Sequence, residues 1–219
     1  MSKMALKLVF LGPPGAGKGT IAQRLAENYD LVQVSTGDLL REEAKKSTPP
    51  GRKLKETMAS GAYVDDGTVG ALVGAKLREL QETGFILDGF PRTAEQAKML
   101  ENILAKMMLK LDAVLDIEAS SETIIGRLGS RVQCNKCGMV FNLLNIPPKA
   151  AGKCDACGGK LVKREDDKPP VVRMRLETYR KKTTPLIEYY GKKGLLKVID
   201  ANGTLEENMR NVEKALNGL

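Results

Sequence analysis

The fold is decided by residues 12–20, which read Gly-Pro-Pro-Gly-Ala-Gly-Lys-Gly-Thr. They follow a short apolar run at 6–11, typical of a buried strand in a parallel sheet, and precede a segment at 20–29 with apolar residues at helical spacing. Glycine lets successive backbone N–H groups turn toward phosphate oxygens, the start of a helix attracts anions, and Lys18 adds a full positive charge. This order predicts a phosphate-binding loop and disfavours a plain glycine-rich turn with a surface lysine.

The rest of the chain continues this alternation of strands and helices. Four more short apolar runs predict strands at 30–34, 85–87, 113–117 and 195–199. Helical patterns lie between or after them, at 69–81, 93–109, 121–128, 172–190 and 205–216. The alternation predicts an α/β fold built on a five-stranded parallel sheet.

Two stretches interrupt the alternation. Residues 35–64 contain short polar helical pieces and a Thr-Pro-Pro-Gly run, and residues 130–167 contain all four cysteines, a Pro-Pro pair and repeated glycines. Neither contains the long apolar strand that a central sheet needs. We therefore expect two small inserted domains in a core made of residues 1–34, 65–129 and 168–219.

Composition narrows the chemistry further. The chain has 219 residues, 35 Lys and Arg against 27 Asp and Glu, a net charge of +8, and no histidine. It therefore cannot use a Ser-His-Asp or Cys-His catalytic arrangement, a His-ligated metal site or a histidine pH switch. The positive charge is compatible with nucleic acid, a membrane surface or a phosphorylated small molecule. The start of the chain shows neither a signal-peptide pattern nor a membrane span, so we expect a soluble cytoplasmic protein with reduced or metal-bound thiols.

The cysteines form two Cys-x-x-Cys pairs. Cys134 and Cys137 are separated by 16 residues from Cys154 and Cys157, within the spacing expected for structural zinc. Four thiolates leave no open coordination position, so the metal would be structural rather than catalytic. Iron also fits a sulfur-rich tetrahedral site, and two disulfides are the alternative that a reducing compartment disfavours.

One departure from the usual phosphate loop points to a particular family. Gly19 follows Lys18, where the general motif has a Ser or Thr that holds Mg²⁺, and the hydroxyl comes one position later at Thr20. Three further stretches resemble adenylate kinase, a nucleoside monophosphate kinase family: Ser-Thr-Gly-Asp-Leu-Leu-Arg at 35–41, Gly-Phe-Ile-Leu-Asp-Gly-Phe-Pro-Arg-Thr at 84–93, and Thr-Thr-Pro-Leu-Ile-Glu-Tyr-Tyr at 183–190. The resemblance extends over essentially the whole chain, and the cysteines are similar to those in the lid of bacterial members.

This resemblance implies a fold, a reaction and a set of site residues. The fold is the three-layer P-loop NTPase type, with 35–64 as the NMP-binding domain and 130–167 as a zinc-stapled lid. The reaction is reversible, Mg²⁺-dependent transfer, ATP + AMP ⇌ 2 ADP, by a monomer. Catalytic roles fall to Lys18, Asp88, Arg92, Arg131, Arg164 and Arg175. The ATP site comprises Gly15, Ala16, Gly17, Lys18, Gly19, Thr20, Arg127, Arg131, Val140, Phe141 and Leu205. The AMP site comprises Thr36, Arg41, Ala62, Tyr63, Val64, Gly89, Phe90, Pro91, Arg92, Gln96, Arg164 and Arg175. Asp166 and Asp167 pair with arginines when the lid closes.

Physical chemistry supports these implied roles. Arginine forks bind phosphate oxygens bidentately and keep their charge, which suits a reaction that depends on positioning and charge neutralisation. Asp88 ends an apolar strand, and we expect it to orient the Mg²⁺ shell through water. The amide of Gln96 can both donate to and accept from adenine. Only 4% of the residues are aromatic, so stacking on arginine is an expected substitute for an aromatic sandwich around the base.

Two alternatives stay open at this point. A related kinase that uses GTP as donor shares most of these motifs. A zinc-ribbon nucleic-acid-binding protein with a phosphate loop should interleave basic and aromatic residues on the ribbon, but residues 130–167 contain one aromatic, Phe141. A scaffold protein would leave the phosphate loop and the arginines without a role. We therefore expect small nucleotides as partners, and neither nucleic acid nor a membrane.

Overall fold

A five-stranded parallel sheet forms the centre of the protein, in a computed structural model that describes residues 5–46, 48–80 and 83–217. Numbered along the chain, its strands are β1 (Lys7–Leu11), β2 (Val32–Ser35), β3 (Phe85–Asp88), β4 (Ala113–Glu118) and β8 (Leu196–Asp200). They lie in the order β2-β3-β1-β4-β8, and every neighbouring pair is parallel. The predicted α/β fold with a five-stranded parallel sheet is confirmed.

Helices cover both faces of this sheet. They are α1 (Lys18–Tyr29), α2 (Thr36–Lys45), α3 (Pro49–Ala59), α4 (Asp66–Leu80), α5 (Ala94–Lys106), α6 (Ser121–Gly129), α7 (Pro169–Lys182), α8 (Pro185–Lys192) and α9 (Leu205–Leu216). Along β1, Leu8 and Phe10 pack with residues of α1 and α9, whereas Val9 and Leu11 pack with residues of α4, α5 and α8. Alternate residues of a strand point to opposite faces, so the sheet separates two apolar clusters and the fold has three layers.

Side-chain caps explain where several helices begin. The side chains of five residues each accept a hydrogen bond from a backbone N–H in the first turn of a helix. These residues are Ser35, Thr48, Thr93, Ser120 and Thr204. Before α1 the cap is Gly17, which has a left-handed φ of 101° and offers no side chain. The start of α1 therefore keeps its backbone N–H groups free of side-chain caps, at the edge where the phosphate loop lies.

The two interrupting stretches lie outside the central sheet. Residues 35–64 contain α2 and α3. Residues 130–167, here called the cysteine segment, form an antiparallel sheet of β5 (Arg131–Cys134), β6 (Val140–Asn142) and β7 (Leu161–Val162), followed by a short helical turn at Glu165–Asp167. The strands of the cysteine segment contain two to four residues, which agrees with the absence of a long apolar run there.

The prediction of one helix at 172–190 is wrong. The structure has two helices, α7 and α8, separated by Thr183 and Thr184. Pro185 lacks the N–H that would continue the hydrogen-bond ladder of α7, and it occupies the first position of α8, where proline is tolerated. The predicted helix at 69–81 is observed as α4, but Gln81 lies outside the described residues.

The start of β2 also differs from the prediction. We expected this strand to begin at Asp30, but it begins at Val32. Asp30 has a left-handed backbone, with φ 58°, and its N–H donates to the carbonyl of Ala26, so it ends α1 instead of opening the strand.

Candidate functional site

The phosphate loop runs from β1 into α1, as predicted. Gly12, Gly15 and Gly17 have φ values of 131°, 89° and 101°, which side chains other than glycine rarely adopt. A Cβ at Gly12 would also lie 2.3 Å from the carbonyl oxygen of Ile117 on β4. Glycine is therefore required here both by the backbone conformation and by the close approach of the neighbouring strand.

Lys18 holds its ammonium group against this loop. Its Nζ donates to the carbonyl oxygens of Gly12 and Pro13, at 2.7 and 2.8 Å. Desolvation lowers the pKa of Lys18 to about 8, and the charge of Asp88 partly opposes this shift. The positive charges of three predicted site residues lower the same pKa further, namely Arg92, Arg175 and Arg131. Lys18 thus lies within the electrostatic reach of three arginines from different parts of the chain.

A cleft with about 980 Å³ of open space lies next to Lys18. Ten of the twelve predicted AMP-site residues line it: Thr36, Arg41, Ala62, Tyr63, Val64, Gly89, Pro91, Arg92, Gln96 and Arg175. Of the other two, Phe90 is fully buried in the core and Arg164 lies outside the lining. The fold therefore brings together residues from α2, the loop before α4, the end of β3, α5 and α7.

Two of the lining arginines, Arg41 and Arg92, are held by nearby residues of their own region of the chain or by the cleft wall. Arg41 pairs with Asp38 at 2.7 Å on the same helix. Arg92 donates from Nε to the carbonyl of Gly89 at 2.8 Å, and its guanidinium lies 5.2 Å from the centre of the Tyr63 ring. These contacts set the direction of both side chains before any ligand is present.

Thr183 connects Tyr63 to the backbone of Arg92. Its hydroxyl donates to the Arg92 carbonyl at 2.9 Å and lies 2.9 Å from the Tyr63 hydroxyl. Since the Thr183 proton is used on Arg92, the Tyr63 hydroxyl is the donor to Thr183. Thr183 was not assigned a role from the sequence, although it opens the motif at 183–190.

The cysteine segment contributes a second group of charges. Arg131 donates from Nε to Asp167 at 2.8 Å, and its Nη2 also pairs with that carboxylate. Arg175 pairs with Asp166 at 3.0 Å and with Asp167 at 3.3 Å. The predicted pairing of Asp166 and Asp167 with arginines is thus present in the structure.

Arg164 lies among like charges. Its Nε donates to the side-chain oxygen of Gln133 at 2.6 Å. Desolvation, followed by the charges of Arg131 and Arg41, lowers its pKa to about 9. Crowded cations of this kind favour a polyanionic ligand, because a bound anion relieves their repulsion.

The predicted ATP-site residues lie in the phosphate loop and the start of α1, on α6, in the cysteine segment and at the start of α9. Arg127 donates to the carbonyl of Ala16 at 2.7 Å and to that of Gly203 at 3.1 Å, so it connects the loop to the turn before α9 and Leu205. Val140 lies on β6, whereas Phe141 is 5% exposed and packs inside the cysteine segment. The contacts of Val140, Phe141 and Leu205 with a nucleotide stay predictions.

Asp88 lies at the end of β3, beside the loop. Its Oδ2 accepts a hydrogen bond from Gln33 Nε2 at 3.3 Å, and the same amide nitrogen lies 3.3 Å from the Gly19 carbonyl. A Cβ at Gly19 would lie 3.2 Å from Asp88 Oδ2. The Asp88 carboxylate therefore lies next to the position where other phosphate loops have a Ser or Thr. The sequence did not predict this contact of Gln33, because a polar residue on a short strand carries no local pattern that points to a partner 55 residues away.

The four cysteines form a candidate metal centre. Their sulfur atoms all lie within 4.8 Å of one another, and the thiols are free rather than paired in disulfides. Two of the Sγ–Sγ distances, Cys134–Cys157 and Cys137–Cys154, are 3.5 Å. Tetrahedral zinc with Zn–S bonds of about 2.3 Å needs sulfur atoms about 3.8 Å apart, so the set fits such an ion. Hydrogen bonds from the backbone N–H groups of Cys137 and Lys136 lower the pKa of the Cys134 thiol, whereas hydrogen bonds with the neighbouring thiols raise that of Cys137, so the proton stays on Cys137 rather than on Cys134.

Known proteins resemble this chain along nearly its whole length. A family model described as Adenylate kinase matches residues 10–195. The adenylate kinase of Archaeoglobus fulgidus is 45% identical over 212 residues, which cover 96% of this chain and 98% of that protein. Those of Fervidobacterium nodosum and Thermodesulfovibrio yellowstonii are 44% and 46% identical, and cover 97% and 92% of this chain and 98% and 94% of their own.

In the part of the chain that the structure describes, no helix combines the length and the apolar character that a membrane crossing requires.

Proposed function

The chain belongs to the adenylate kinase family, and we propose that it transfers the terminal phosphoryl group of ATP to AMP, yielding two molecules of ADP. The observation that carries this proposal is the convergence of Lys18, Arg92, Arg131 and Arg175 on one another beside the cleft. Phosphoryl transfer needs two polyanions held in line with their charge neutralised, and this arrangement of cations supplies that condition.

The acceptor AMP binds in the cleft. Arg41 and Arg92 clamp its phosphate, since both guanidinium groups line the cleft and are pre-oriented by Asp38 and Gly89. The base lies against Thr36, Gln96 and the backbone near Val64. Preorganised donors cost little reorganisation at the moment of reaction, so Arg92 favours the transition state as well as the bound acceptor.

The donor ATP binds along the phosphate loop. The loop amides, the start of α1 and Lys18 hold its phosphates, and the Gly12 and Pro13 carbonyls that now accept from Lys18 are replaced by phosphate oxygens. Arg127 supports the loop through the Ala16 carbonyl. The backbone after Gly203 lies on the side of the donor base.

The transferring phosphoryl group is surrounded by Arg131, Arg164 and Arg175. In the absence of nucleotide, Asp166 and Asp167 neutralise two of these arginines. The negative charge spread over the phosphoryl oxygens in the transition state then takes over part of that neutralisation. Removal of water as the cysteine segment closes makes each of these interactions stronger.

Magnesium is the expected companion of ATP in this family. The fit is supported by Asp88, whose carboxylate lies beside Gly19 in the loop, and by the hydroxyl of Thr20. When bound, Mg²⁺ neutralises charge on the phosphates. Asp88 would hold it through water, because Gly19 offers no side chain for direct ligation.

We further propose that the cysteine centre holds structural zinc and that the cysteine segment is the lid. Four thiolates close the coordination shell, which suits zinc and also accommodates iron. In this division residues 35–64 form the NMP-binding domain, residues 130–167 form the lid, and residues 1–34, 65–129 and 168–219 form the core. The free thiols are typical of a reducing compartment such as the cytoplasm.

The reaction is tested with a coupled assay of ATP or GTP against AMP, GMP, CMP and UMP. We expect ATP with AMP to be the best pair and the rate to depend on Mg²⁺. A preference for another acceptor would contradict AMP as the substrate. A preference for GTP would favour the related kinase that uses GTP as its phosphoryl donor. Size-exclusion chromatography with light scattering tests the expected monomer, and a DNA-binding titration tests the expected lack of nucleic-acid binding.

A further inference from the structure

Behind Gln96 lies an acid that the proposed chemistry does not use. Asp66 is the first residue of α4 and is not among the residues that line the cleft, whereas Gln96 lines it and is 1% exposed. Asp66 Oδ1 accepts a hydrogen bond from Gln96 Nε2 at 2.8 Å, and its Oδ2 accepts one from the Thr93 hydroxyl at 2.9 Å. Both carboxylate oxygens are thus directed at the beginning of α5.

The other end of the Gln96 amide is held by backbone. The N–H of Arg92 donates to Gln96 Oε1 at 2.7 Å. A carboxylate can only accept and a backbone N–H can only donate, so this network determines which end of the amide is oxygen. In the reversed orientation the amide oxygen would face the carboxylate and the NH₂ would face the N–H, and two hydrogen bonds would become two repulsive contacts.

The network is part of the start of a helix and is therefore rigid. The hydroxyl of Thr93 caps α5 by accepting from the Gln96 N–H at 3.1 Å, and it also donates to Asp66. Gln96 keeps one amide hydrogen and one oxygen lone pair beyond these contacts, so it can still donate once and accept once on the cleft side. A ligand base therefore meets an amide whose two ends cannot be exchanged.

We propose that Asp66 is a positioning residue that selects adenine over 6-oxopurines at the acceptor site by locking the Gln96 amide in one orientation. The inference rests on the proposed function, since it assigns the base of the acceptor. Adenine presents an acceptor at N1 and a donor at its 6-amino group, and hypoxanthine presents the reverse. An amide that pairs with one of these edges must turn over to pair with the other. A locked amide leaves polar groups unpaired against the wrong base, which is how fixed polar sites reject close analogues.

The test is the substitution Asp66→Asn, with IMP as the probe for a 6-oxopurine. Asparagine can present either its oxygen or its NH₂ to Gln96, so it removes the lock at one end while keeping the size of the side chain. We expect the ratio of kcat/KM for AMP to that for IMP to fall about tenfold, with KM for ATP unchanged, since an unpaired buried group costs about 1–3 kcal/mol. Calorimetric dissociation constants for AMP and IMP should show the same change in ratio.

Asp65→Asn is the matched control. Asp65 is exposed and accepts from the Thr68 N–H at 2.8 Å, so the same chemical change one residue away should leave the ratio as in the unmodified protein. Both nucleotides are measured on one sample, so any loss of folded Asp66→Asn protein cancels in the ratio. An unchanged AMP-to-IMP ratio in Asp66→Asn would overturn the inference alone. Failure of the unmodified protein to phosphorylate AMP would instead overturn the proposed function.

Discussion

The central core and the cysteine segment are stabilised in different ways. Large apolar clusters fill both faces of the central sheet, whereas the buried cluster of the cysteine segment consists of Val132, Cys134, Phe141 and Cys154. Two of these four side chains are thiols, and Leu144 in the same segment is 73% exposed. A cluster of this size offsets little of the chain entropy lost on folding. Burial therefore stabilises the core, whereas the proposed metal would stabilise the cysteine segment.

The two regions also divide the chemistry. The core supplies Lys18 and Arg92, and residues 35–64 complete most of the cleft wall with Thr36, Arg41 and the loop before α4. The cysteine segment supplies Arg131, Arg164 and two acids, Asp166 and Asp167, which pair with Arg131 and with Arg175 of α7. Separate perturbation of each region should therefore affect catalysis and stability in different proportions.

The largest expected effect is on catalysis alone. Lys18→Met removes the positive charge from the phosphate loop, and we expect kcat to fall on the order of 10²- to 10³-fold, as for other preorganised electrostatic donors. The melting temperature should not fall, because the hydrogen bonds of Lys18 within the described residues go to the Gly12 and Pro13 carbonyls, and its removal relieves the cost of desolvating the ammonium group. Steady-state kinetics with a thermal melt checks this, and a fall in both activity and stability would show that Lys18 is structural.

The next effect is on the cysteine segment. Removing metal with a chelator, or replacing both Cys134 and Cys154 with serine, should lower the melting temperature by about 10 °C, since structural zinc contributes folding energy directly. At 25 °C we expect activity to fall only about tenfold. The loss should be this small because Asp167 still joins Arg131 to Arg175 on α7, outside the cysteine segment, when the metal is absent.

The control for metal removal is Ser130→Ala, a change in the same segment that leaves all four thiols in place. Removal of zinc should lower the melting temperature of Ser130→Ala by the same amount as that of the unmodified protein. Unchanged stability after complete removal of metal, verified by elemental analysis, would exclude a structural role for the ion.

Local patterns in the sequence predict more of the fold than of the contacts within the site. The strands were predictable because each is a short apolar run, and the cysteine centre was predictable because ligand spacing is a local property. The contacts of Gln33 with Asp88 and of Asp66 with Gln96 were not predictable, since these pairs are separated by 55 and 30 residues and the side chains are ordinary polar residues. The prediction of a single helix at 172–190 is wrong because the apolar periodicity continues through Pro185, where the backbone hydrogen-bond ladder is interrupted.

A smaller effect tests the pairing between the regions. Asp167 has a side chain that is 4% exposed and pairs with both Arg131 and Arg175. In Asp167→Asn the two arginines face each other without a shared anion, and we expect the free energy of unfolding to fall by about 2 kcal/mol. The loss should shrink when AMP and a non-hydrolysable ATP analogue are bound, because phosphate then replaces the carboxylate. Urea unfolding without and with these ligands measures the loss of unfolding free energy and its reduction on binding. The control is Glu165→Gln, because Glu165 forms an exposed ion pair with Lys168.

The last effect is a gain in stability, and it concerns a carboxylate buried in the core. Asp116 on β4 is fully buried, and neither carboxylate oxygen has a hydrogen-bond partner among the described residues. Desolvation, with the charge of Glu118, raises its pKa from 3.8 to about 6. Because the folded-state pKa is the higher one, the folded form loses stability as the pH rises from about 4 to about 6 and stays penalised above that range.

Asp116→Asn should therefore stabilise the nucleotide-free protein at pH 8 by at most about 3 kcal/mol and have little effect at pH 4, because the pKa rises from 3.8 to about 6 and one pKa unit corresponds to about 1.4 kcal/mol. Glu118→Gln removes the same charge from an exposed position on the same strand and should stabilise far less. Thermal melts of the three proteins from pH 4 to 8 measure the difference. A gain that does not depend on pH would mean that the asparagine side chain improves packing, and the core would then contain no uncompensated charge at this position.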